Sequence, residues 1–316
     1  MLTVVIVLSP KRKRLHKILL ESLKMNTNRV KEIILITLGY DDIGYLDYQI
    51  DSLNNKGIRT VILSEDSKKS LAECRNRGCE LATQEYVAFL DDDVIVTKLW
   101  ERNILSNKKY DLVFGSVILH PIYYKYIRHG REMIYATASV FNNLLISRNK
   151  CIKSDCVYIF SPKTKSDMIL CTRGLWGANF MVRKSILKRI GMFDCRLGYR
   201  KGGVLGGEDT DIVLRAFKKG IKVCFAEKAV VYHIVDPTKL SIRYALQKYA
   251  TIPHAGIYYQ LKHKIHIITY LISLLNVLVD KKLTLINKID IISLALLGAF
   301  IGIILRILTQ FDILSR

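Results

Sequence analysis

The chain has little proline, no paired cysteine motif and few acidic residues. With 5 Pro in 316 residues and half of all residues hydrophobic, it is neither intrinsically disordered nor collagen-like. The 7 Cys are odd in number and include no CxxC pair, so we predict neither a disulfide framework nor a zinc site. The apolar stretch 1–8 precedes its basic cluster and is too short to span a bilayer, so we expect no export signal.

Acidic residues are outnumbered by basic ones. The chain has 49 Lys and Arg against 28 Asp and Glu, a formal net charge of +21. Such an excess indicates an anionic partner, either a nucleic acid, a phospholipid surface or a phosphorylated small molecule, or else a solvated basic surface. There is no aromatic-interleaved RNA-binding pattern and no zinc-finger spacing. We therefore do not expect nucleic acid as a partner.

Strand-like and helix-like segments alternate along the first two-thirds of the chain. Five apolar segments are predicted as strands, at Leu2–Leu8, Ile33–Thr37, Thr60–Leu63, Tyr86–Leu90 and Leu112–Leu119. Segments between the first four are predicted as helices, at Arg12–Met25, Ile43–Lys56 and Lys69–Ala82. This alternation is typical of an α/β fold with a parallel sheet covered by helices on both faces. Its ligand crevice is expected at the carboxyl ends of the strands.

The C-terminal part of the chain differs from the rest. Two segments of about 15 residues, Ile265–Val279 and Ile291–Leu305, contain no charged residue, yet each is shorter than the ~20 residues of a clear transmembrane helix. Three interpretations stay open: a helical hairpin dipping into or crossing the membrane, helices lying on its surface, or helices buried in a core or in a homo-oligomer interface. We divide the chain into a catalytic domain, 1–236, and a C-terminal helical membrane-associated region, 237–316.

Three adjacent acids follow the predicted strand Tyr86–Leu90. Asp91, Asp92 and Asp93 repel one another and need compensation. At a strand end that faces a crevice, Mg²⁺ or Mn²⁺ can supply it, because these ions prefer oxygen ligands and often bind carboxylates together with substrate phosphates. The alternative is a solvated acidic turn or a helix cap.

A second acidic group, in GGEDTD, precedes a predicted amphipathic helix. Acids are favoured at a helix N-terminus, but Glu208, Asp209 and Asp211 are more than one cap requires. One of these carboxylates could act as a general base. His233 ends a further apolar segment, Ala229–Tyr232; it is either a structural residue or a neutral imidazole ligand for a divalent metal.

These motifs together resemble family 2 glycosyltransferases of the GT-A fold. The matching segments are LTVVIVLSPKRKRLHKILLESL, ECRNRGCELATQEYVAFLDDDV and GLWGANFMVRKSILKRIGMFDCRLGYRKGGVLGGEDTDIVLRAFKKGIKVCFAEKAVVYH. They span residues 2–233 with gaps between them, and they occur in the family's order. The resemblance implies a Rossmann-like mixed sheet with helices on both faces, followed by the C-terminal apolar helices.

The resemblance also implies an activity, a cofactor and roles for individual residues. The family moves a sugar from a nucleoside-diphosphate donor to an acceptor, usually with inversion, and a divalent cation, Mn²⁺ or Mg²⁺, is implied. Asp209 matches the general base and Glu208 a residue that positions it. The implied cation ligands are Asp93, Asp91 and His233. The implied donor-binding residues are Ser9, Arg75, Asp91 and Asp92, and the implied sugar- or acceptor-binding residues are Trp176 and Asn179.

The sequence departs from the family pattern at the second strand. Thr37 stands where the family often has an Asp that reads the nucleotide base. We therefore do not assign the nucleotide of the sugar donor. No QxxRW motif of processive synthases occurs, which disfavours polymerisation.

We expect a transferase at the cell membrane with its catalytic domain in the cytoplasm, acting on a polyprenyl-phosphate-linked glycan or another glycoconjugate precursor. Two alternatives remain. One is a polyprenyl-phosphate sugar synthase that uses bare lipid phosphate. The other is a non-catalytic protein that binds nucleotide-sugar or nucleic acid.

Overall fold

The computed structural model describes residues 1–122, 151–154, 157–163, 168, 171–172, 175–199, 206–234 and 262–263. The apolar segments Ile265–Val279 and Ile291–Leu305 lie outside the described residues, as does the boundary placed after residue 236. No helix in the described ranges is both long enough and apolar enough to cross a membrane.

Ten strands of the described chain form one sheet. They are β1 Leu2–Leu8, β2 Val30–Leu38, β3 Arg59–Glu65, β4 Tyr86–Asp91, β5 Val94–Val96, β6 Leu112–Leu119, β7 Cys151–Ser154, β8 Val157–Phe160, β9 Asn179–Arg183 and β10 Val223–His233. The helices are α1 Lys13–Asn26, α2 Asp47–Asn55, α3 Leu71–Leu81, α4 Trp100–Leu105, α5 Lys184–Ile190 and α6 Glu208–Lys218, with 3₁₀ turns at Pro10–Arg12 and Gly44–Leu46. The five predicted strands and three predicted helices are confirmed, with ends shifted by a few residues.

The sheet is mixed rather than parallel throughout. Its order is β3-β2-β1-β4-β9-β6-β10-β8-β7, and β5 pairs with β10. The first four strands in this order are parallel, as βαβ units require. β9 then lies antiparallel between β4 and β6. The expectation of a wholly parallel sheet is therefore wrong beyond β4, and the mixed sheet implied by the resemblance is confirmed.

Helices cover both faces of the sheet because the strands are apolar on both sides. Val4 and Ile6 of β1 belong to a core that includes residues of α1, α2 and α4. Val5, between them, belongs to a second core that includes residues of α3, α5 and α6. Successive side chains of a strand point to opposite faces, which explains this division. The carboxyl ends of β1, β2 and β4 consequently meet at one edge between the two helical layers.

The Asn179 side chain connects α4, β6 and β10 below that edge of the sheet. Its side-chain oxygen accepts a hydrogen bond from Trp100 Nε1 at 2.8 Å, and its amide nitrogen donates to the carbonyls of Ser116 at 3.0 Å and Ala229 at 2.8 Å. The residue is 0% exposed. Its amide occupies the place where the β6–β10 register shifts between Ala226 and Val230. This geometry gives Asn179 a structural role, and its predicted sugar or acceptor contact stays a prediction.

Gly115 of β6 tests this arrangement. A Cβ atom there would lie well inside van der Waals contact with Asn179 Nδ2 and with the carbonyl oxygen of Ala229. We expect Gly115→Ala to lower the free energy of unfolding by about 1–3 kcal/mol, because a backbone carbonyl cannot move aside cheaply. Urea unfolding followed by circular dichroism measures the change.

Gly44→Ala is the matched control for this substitution. A Cβ at Gly44 would meet only the Asp42 and Asp47 carboxylates, at 3.5 and 3.6 Å. The control is expected to leave stability within about 0.5 kcal/mol of the wild type. Equal stability of the two variants would contradict the packing described around Asn179.

Candidate active site

Pairing of β5 with β10 brings a histidine to the acidic triplet. His233 pairs with Val94 in this antiparallel ladder, and the Ile234 N–H donates to the Asp93 carbonyl at 2.8 Å. His233 Nε2 lies 3.0 Å from Asp93 Oδ1. One ligand atom from each of Asp91, Asp93 and His233 lies within 4.8 Å of the others. These three residues were the predicted cation ligands, and the structure brings them together.

The three acids have different surroundings. Asp91 ends β4, and burial raises the pKa of its carboxyl, an effect that Arg75 opposes and that Asp93 reinforces. Asp92 accepts a hydrogen bond from the backbone N–H of Ser9 at 2.6 Å and lies 2.9 Å from His16 Nε2. It also forms an ion pair with Arg12, and it is 3% exposed. These contacts make Asp92 an anchor between the ends of β1 and β4 and α1, and its predicted donor contact stays a prediction.

Arg12 connects Asp92 to Asp93. Its Nη1 contacts Asp92 Oδ1 and lies 2.7 Å from Asp93 Oδ2. Burial on its own would lower the pKa of the Arg12 guanidinium, but the carboxylates of Asp92, Asp93 and Asp91 raise that pKa above its ordinary value. The guanidinium therefore stays protonated and places a permanent positive charge at the edge of the candidate cation site.

Arg75 links the acidic triplet to the second acidic group. Its helix, α3, starts at a capping box in which the Ser70 side chain and Glu73 satisfy each other's backbone N–H groups. Arg75 is 3% exposed and donates to Asp91 Oδ1 at 3.0 Å, to Glu208 Oε1 at 2.6 Å and to the Gly177 carbonyl at 2.9 Å. One buried guanidinium thus holds the end of β4 and the start of α6 together.

Glu208 and Asp209, although adjacent, have different environments. Glu208 is 4% exposed, and its Oε2 has no hydrogen-bond partner among the described residues. Burial raises the pKa of Glu208 to about 7, against the opposing effect of Arg75. Asp209 is half-buried, and its Oδ2 accepts a hydrogen bond from the Gly177 N–H at 2.7 Å. Glu208 therefore faces the interior and Asp209 the edge of the sheet.

A side chain at Gly177 would crowd this contact. A Cβ atom there would lie 3.0 Å from Asp209 Oδ2 and 3.2 Å from Arg75 Nη1. Its neighbour Trp176 is half-buried against the core that includes α1 and α4. Trp176 therefore lies one residue from the Asp209 contact, and its predicted sugar or acceptor contact stays a prediction.

The remaining predicted positions lie along the same edge. Ser9 follows β1, beside Asp92. Thr37 lies near the end of β2, is 1% exposed, and its buried Oγ1 has no hydrogen-bond partner among the described residues. Tyr40, three residues after Thr37, forms a pair with Tyr45 in which the hydroxyl oxygens are 3.3 Å apart. The Lys13 ammonium is 4.9 Å from the Tyr45 ring centre.

Several contributors were missed by sequence reasoning. Arg12 was named only as the first residue of a predicted helix, and His16 and Gly177 were not singled out. Arg12 ends the 3₁₀ turn before α1, and His16 lies four residues later, inside α1. Both side chains contact Asp92. That spacing was the available signal.

The third acid of GGEDTD has a different place in the structure. Asp211 is 0% exposed, and its Oδ1 lies 2.8 Å from His263 Nε2 and 2.7 Å from Lys262 Nζ. Arg215, one turn later in α6, contacts its other oxygen at 2.7 Å. These partners lower the pKa of Asp211 even though burial would raise it. Asp211 therefore attaches residues 262–263 to α6.

Comparisons with known proteins agree with this geometry. The human protein named probable polypeptide N-acetylgalactosaminyltransferase 8 is 28% identical over 239 residues, which are 70% of this chain and 34% of that protein. The chain thus spans about a third of the length of this curated relative.

Among solved structures, that of GalNAc-T7 with UDP, GalNAc and Mn²⁺ aligns with a TM-score of 0.51 at 15% identity, over 74% of this chain and 43% of that one. The structure of S. aureus TarS aligns with a TM-score of 0.48 at 13% identity, over 95% of this chain and 71% of that one. The former similarity shows a shared fold, the mixed α/β sheet of GT-A proteins.

The family model described as glycosyltransferase like family 2 matches residues 3–235. That range contains β1 from its second residue onwards, β2 to β10, and all of the acids discussed above. The chain therefore belongs to the family 2-like glycosyltransferases.

Proposed function

We propose that the protein is a divalent-cation-dependent glycosyltransferase that moves a sugar from a nucleoside-diphosphate sugar to an acceptor, with inversion at the anomeric carbon. The observation that carries the proposal is the arrangement around Arg75. On one side of this guanidinium lies Asp91 with the other cation ligands, and on the other side lie Glu208 and Asp209. Such a transfer needs positive charge at the diphosphate and a proton acceptor at the incoming hydroxyl, and the two acidic groups divide these tasks.

The residues present fit a divalent cation. Asp91 and Asp93 offer carboxylate oxygens and His233 an imidazole nitrogen within 4.8 Å of one another, a donor set suited to Mn²⁺ or Mg²⁺ with substrate phosphates completing the shell. When bound, the cation supplies positive charge that stabilises a diphosphate leaving group. The chain orients its own ligands through the β5–β10 ladder and through Arg75.

Asp209 is the proposed general base. Its Oδ2 is oriented by the Gly177 N–H, and Oδ1 accepts a hydrogen bond from the Thr210 N–H at 2.7 Å. Half-burial leaves this carboxylate accessible to an acceptor hydroxyl. Glu208, paired with Arg75, fixes the first turn of α6 and thereby the position of Asp209.

The names of the relatives suggest the first donor to test. One is named as an N-acetylgalactosaminyltransferase and another was solved with UDP and GalNAc, so UDP-N-acetylgalactosamine is the first candidate. Thr37 at the position of the usual base-reading Asp is the reason to test other bases beside it.

We further propose a lipid-linked acceptor at the cytoplasmic face of the cell membrane. The support is the net charge of +21 and the two uncharged segments after residue 264, which suit an anionic membrane surface. Bare polyprenyl phosphate is the alternative acceptor. Membrane fractionation of the full-length chain tests the location, and recovery in the soluble fraction without detergent would exclude it.

Asp93→Ala tests the cation site. We expect it to weaken Mn²⁺ binding at least about tenfold, because it removes a carboxylate from a three-ligand set. Mn²⁺-dependent binding of UDP should weaken with it. Electron paramagnetic resonance of free Mn²⁺ and calorimetry with UDP measure the two affinities.

Asp51→Ala is the control for that experiment. Asp51 is an exposed acid of α2, away from the sheet edge. The Asp51→Ala substitution removes the same charge as Asp93→Ala. The affinities for Mn²⁺ and for UDP should therefore stay at the wild-type values. Unchanged Mn²⁺ affinity in folded Asp93→Ala would remove Asp93 from the cation site.

Asp209→Asn tests the general base. The amide keeps the size of the side chain but cannot accept the hydroxyl proton, so kcat should fall about 10²–10⁴-fold. Binding of the donor should change by less than about threefold, since the cation ligands are intact. Transfer at more than a tenth of the wild-type rate by the folded variant would exclude Asp209 as the base.

A panel of nucleotide sugars and acceptors tests the reaction itself. We expect metal-dependent turnover of one nucleoside-diphosphate sugar, with a lipid-linked glycan accepting the sugar better than bare polyprenyl phosphate. Product analysis by mass spectrometry, with Mn²⁺, Mg²⁺ or chelator, scores each pair. Binding without turnover for every pair would instead support a non-catalytic nucleotide-sugar protein.

A further inference from the structure

Both carboxylate oxygens of Asp93 are already engaged by the chain itself. Oδ1 lies 3.0 Å from His233 Nε2, and Oδ2 lies 2.7 Å from Arg12 Nη1. Asp93 is 2% exposed. A divalent cation that bound Asp93 would therefore have to replace at least one of these partners. Arg12 is the partner that does not belong to the proposed ligand set.

Arg12 can leave Asp93 without losing its place in the structure. Its guanidinium also contacts Asp92 Oδ1, and Asp92 is fixed by the Ser9 N–H and by His16. The Arg12 side chain is 31% exposed, whereas those of Asp92 and Asp93 are 4% and 3% exposed. The acids are thus fixed, and the arginine has a second carboxylate and open solvent on its other side.

We propose that Arg12 is a built-in competitor of the divalent cation: it neutralises Asp93 in the cation-free protein, yields that carboxylate when the cation binds, and so sets the cation affinity of the site. This inference rests on the proposed function, because it takes Asp93 as a cation ligand. The inference gives Arg12 a role of its own: its positive charge opposes cation binding and stabilises the acidic triplet when no cation is bound.

The charges around Asp93 determine whether removing Arg12 raises or lowers the affinity for the cation. The triplet carries up to three negative charges, and Arg12 and Arg75 contribute two positive charges in direct contact with it. Arg75 also forms an ion pair with Glu208. Removing the Arg12 charge leaves Asp93 Oδ2 without its cationic partner and makes the edge more negative by one unit. Both changes favour a divalent cation.

The matched pair Arg12→Gln and Arg14→Gln tests the proposal. Arg14 is an exposed arginine two residues away at the start of α1, so the control removes the same charge from the same segment. We expect Arg12→Gln to tighten Mn²⁺ binding about tenfold, as expected when a like charge a few ångströms from a divalent ion is removed. Arg14→Gln should shift it less than twofold. Electron paramagnetic resonance of free Mn²⁺ measures the affinities directly, without turnover.

A second measurement uses the wild-type chain and does not depend on a variant folding. Phenylglyoxal modifies accessible guanidinium groups, and peptide mass spectrometry resolves the individual arginines. Because the proposal has Mn²⁺ release Arg12 from Asp93, saturating Mn²⁺ should raise the modification rate of Arg12 at least about threefold. Arg14, already exposed, should react at the same rate with and without Mn²⁺.

The outcomes separate this inference from the proposed function. If Asp93→Ala weakens Mn²⁺ binding but Arg12→Gln leaves it unchanged or weaker, and Mn²⁺ does not alter Arg12 modification, the competitor role is wrong while the cation site stands. If the wild type binds no Mn²⁺ but Arg12→Gln does, the competitor role is supported in its strongest form. If neither binds Mn²⁺, both the inference and the cation site fall.

Discussion

The buried guanidinium of Arg75 is the interaction on which the candidate site depends. It donates to Asp91, to Glu208 and to the Gly177 carbonyl. Its Cζ atom also lies 5.9 and 5.8 Å from the centres of the Phe180 and Phe193 rings. A buried charge is tolerable only when it is paired and hydrogen-bonded. Arg75 meets that condition by drawing three separate chain segments onto one point, and the distance between the two acidic groups is fixed as a result.

Much of the fold was predictable because its signals are local. Leu2–Leu8 and Leu112–Leu119 are continuous apolar strands whose predicted bounds match those observed. The neighbours of each strand are not a local property. The segment Asn179–Arg183 is too short for a clear periodicity, and nothing in its residues states that it lies antiparallel between β4 and β6. The short β5, at Val94–Val96, was missed for the same reason.

The site was predictable as far as residue type and order determine it. The grouping of Asp91, Asp93 and His233 followed from motifs in family order, and the structure brings them together. The distinction between Asp92 and its neighbours did not follow, since three identical residues in a row carry no sign of which one contacts His16. That depends on His16 and Arg12, which belong to another element. The structural role of Asn179 did not follow either, because an amide can bind a sugar as well as it binds backbone carbonyls.

The two halves of the acidic–imidazole cluster are 140 residues apart in the chain. During synthesis, the acidic triplet leaves the ribosome long before the histidine that faces it. β10 also pairs with β5, β6 and β8, so the same strand that delivers the imidazole closes the middle of the sheet. Domains fold as units, and a nascent chain that ends before β10 has neither a complete sheet nor a complete cluster. The cluster of Asp91, Asp93 and His233 is therefore completed only together with the sheet, and a chain that ends before β10 lacks its imidazole.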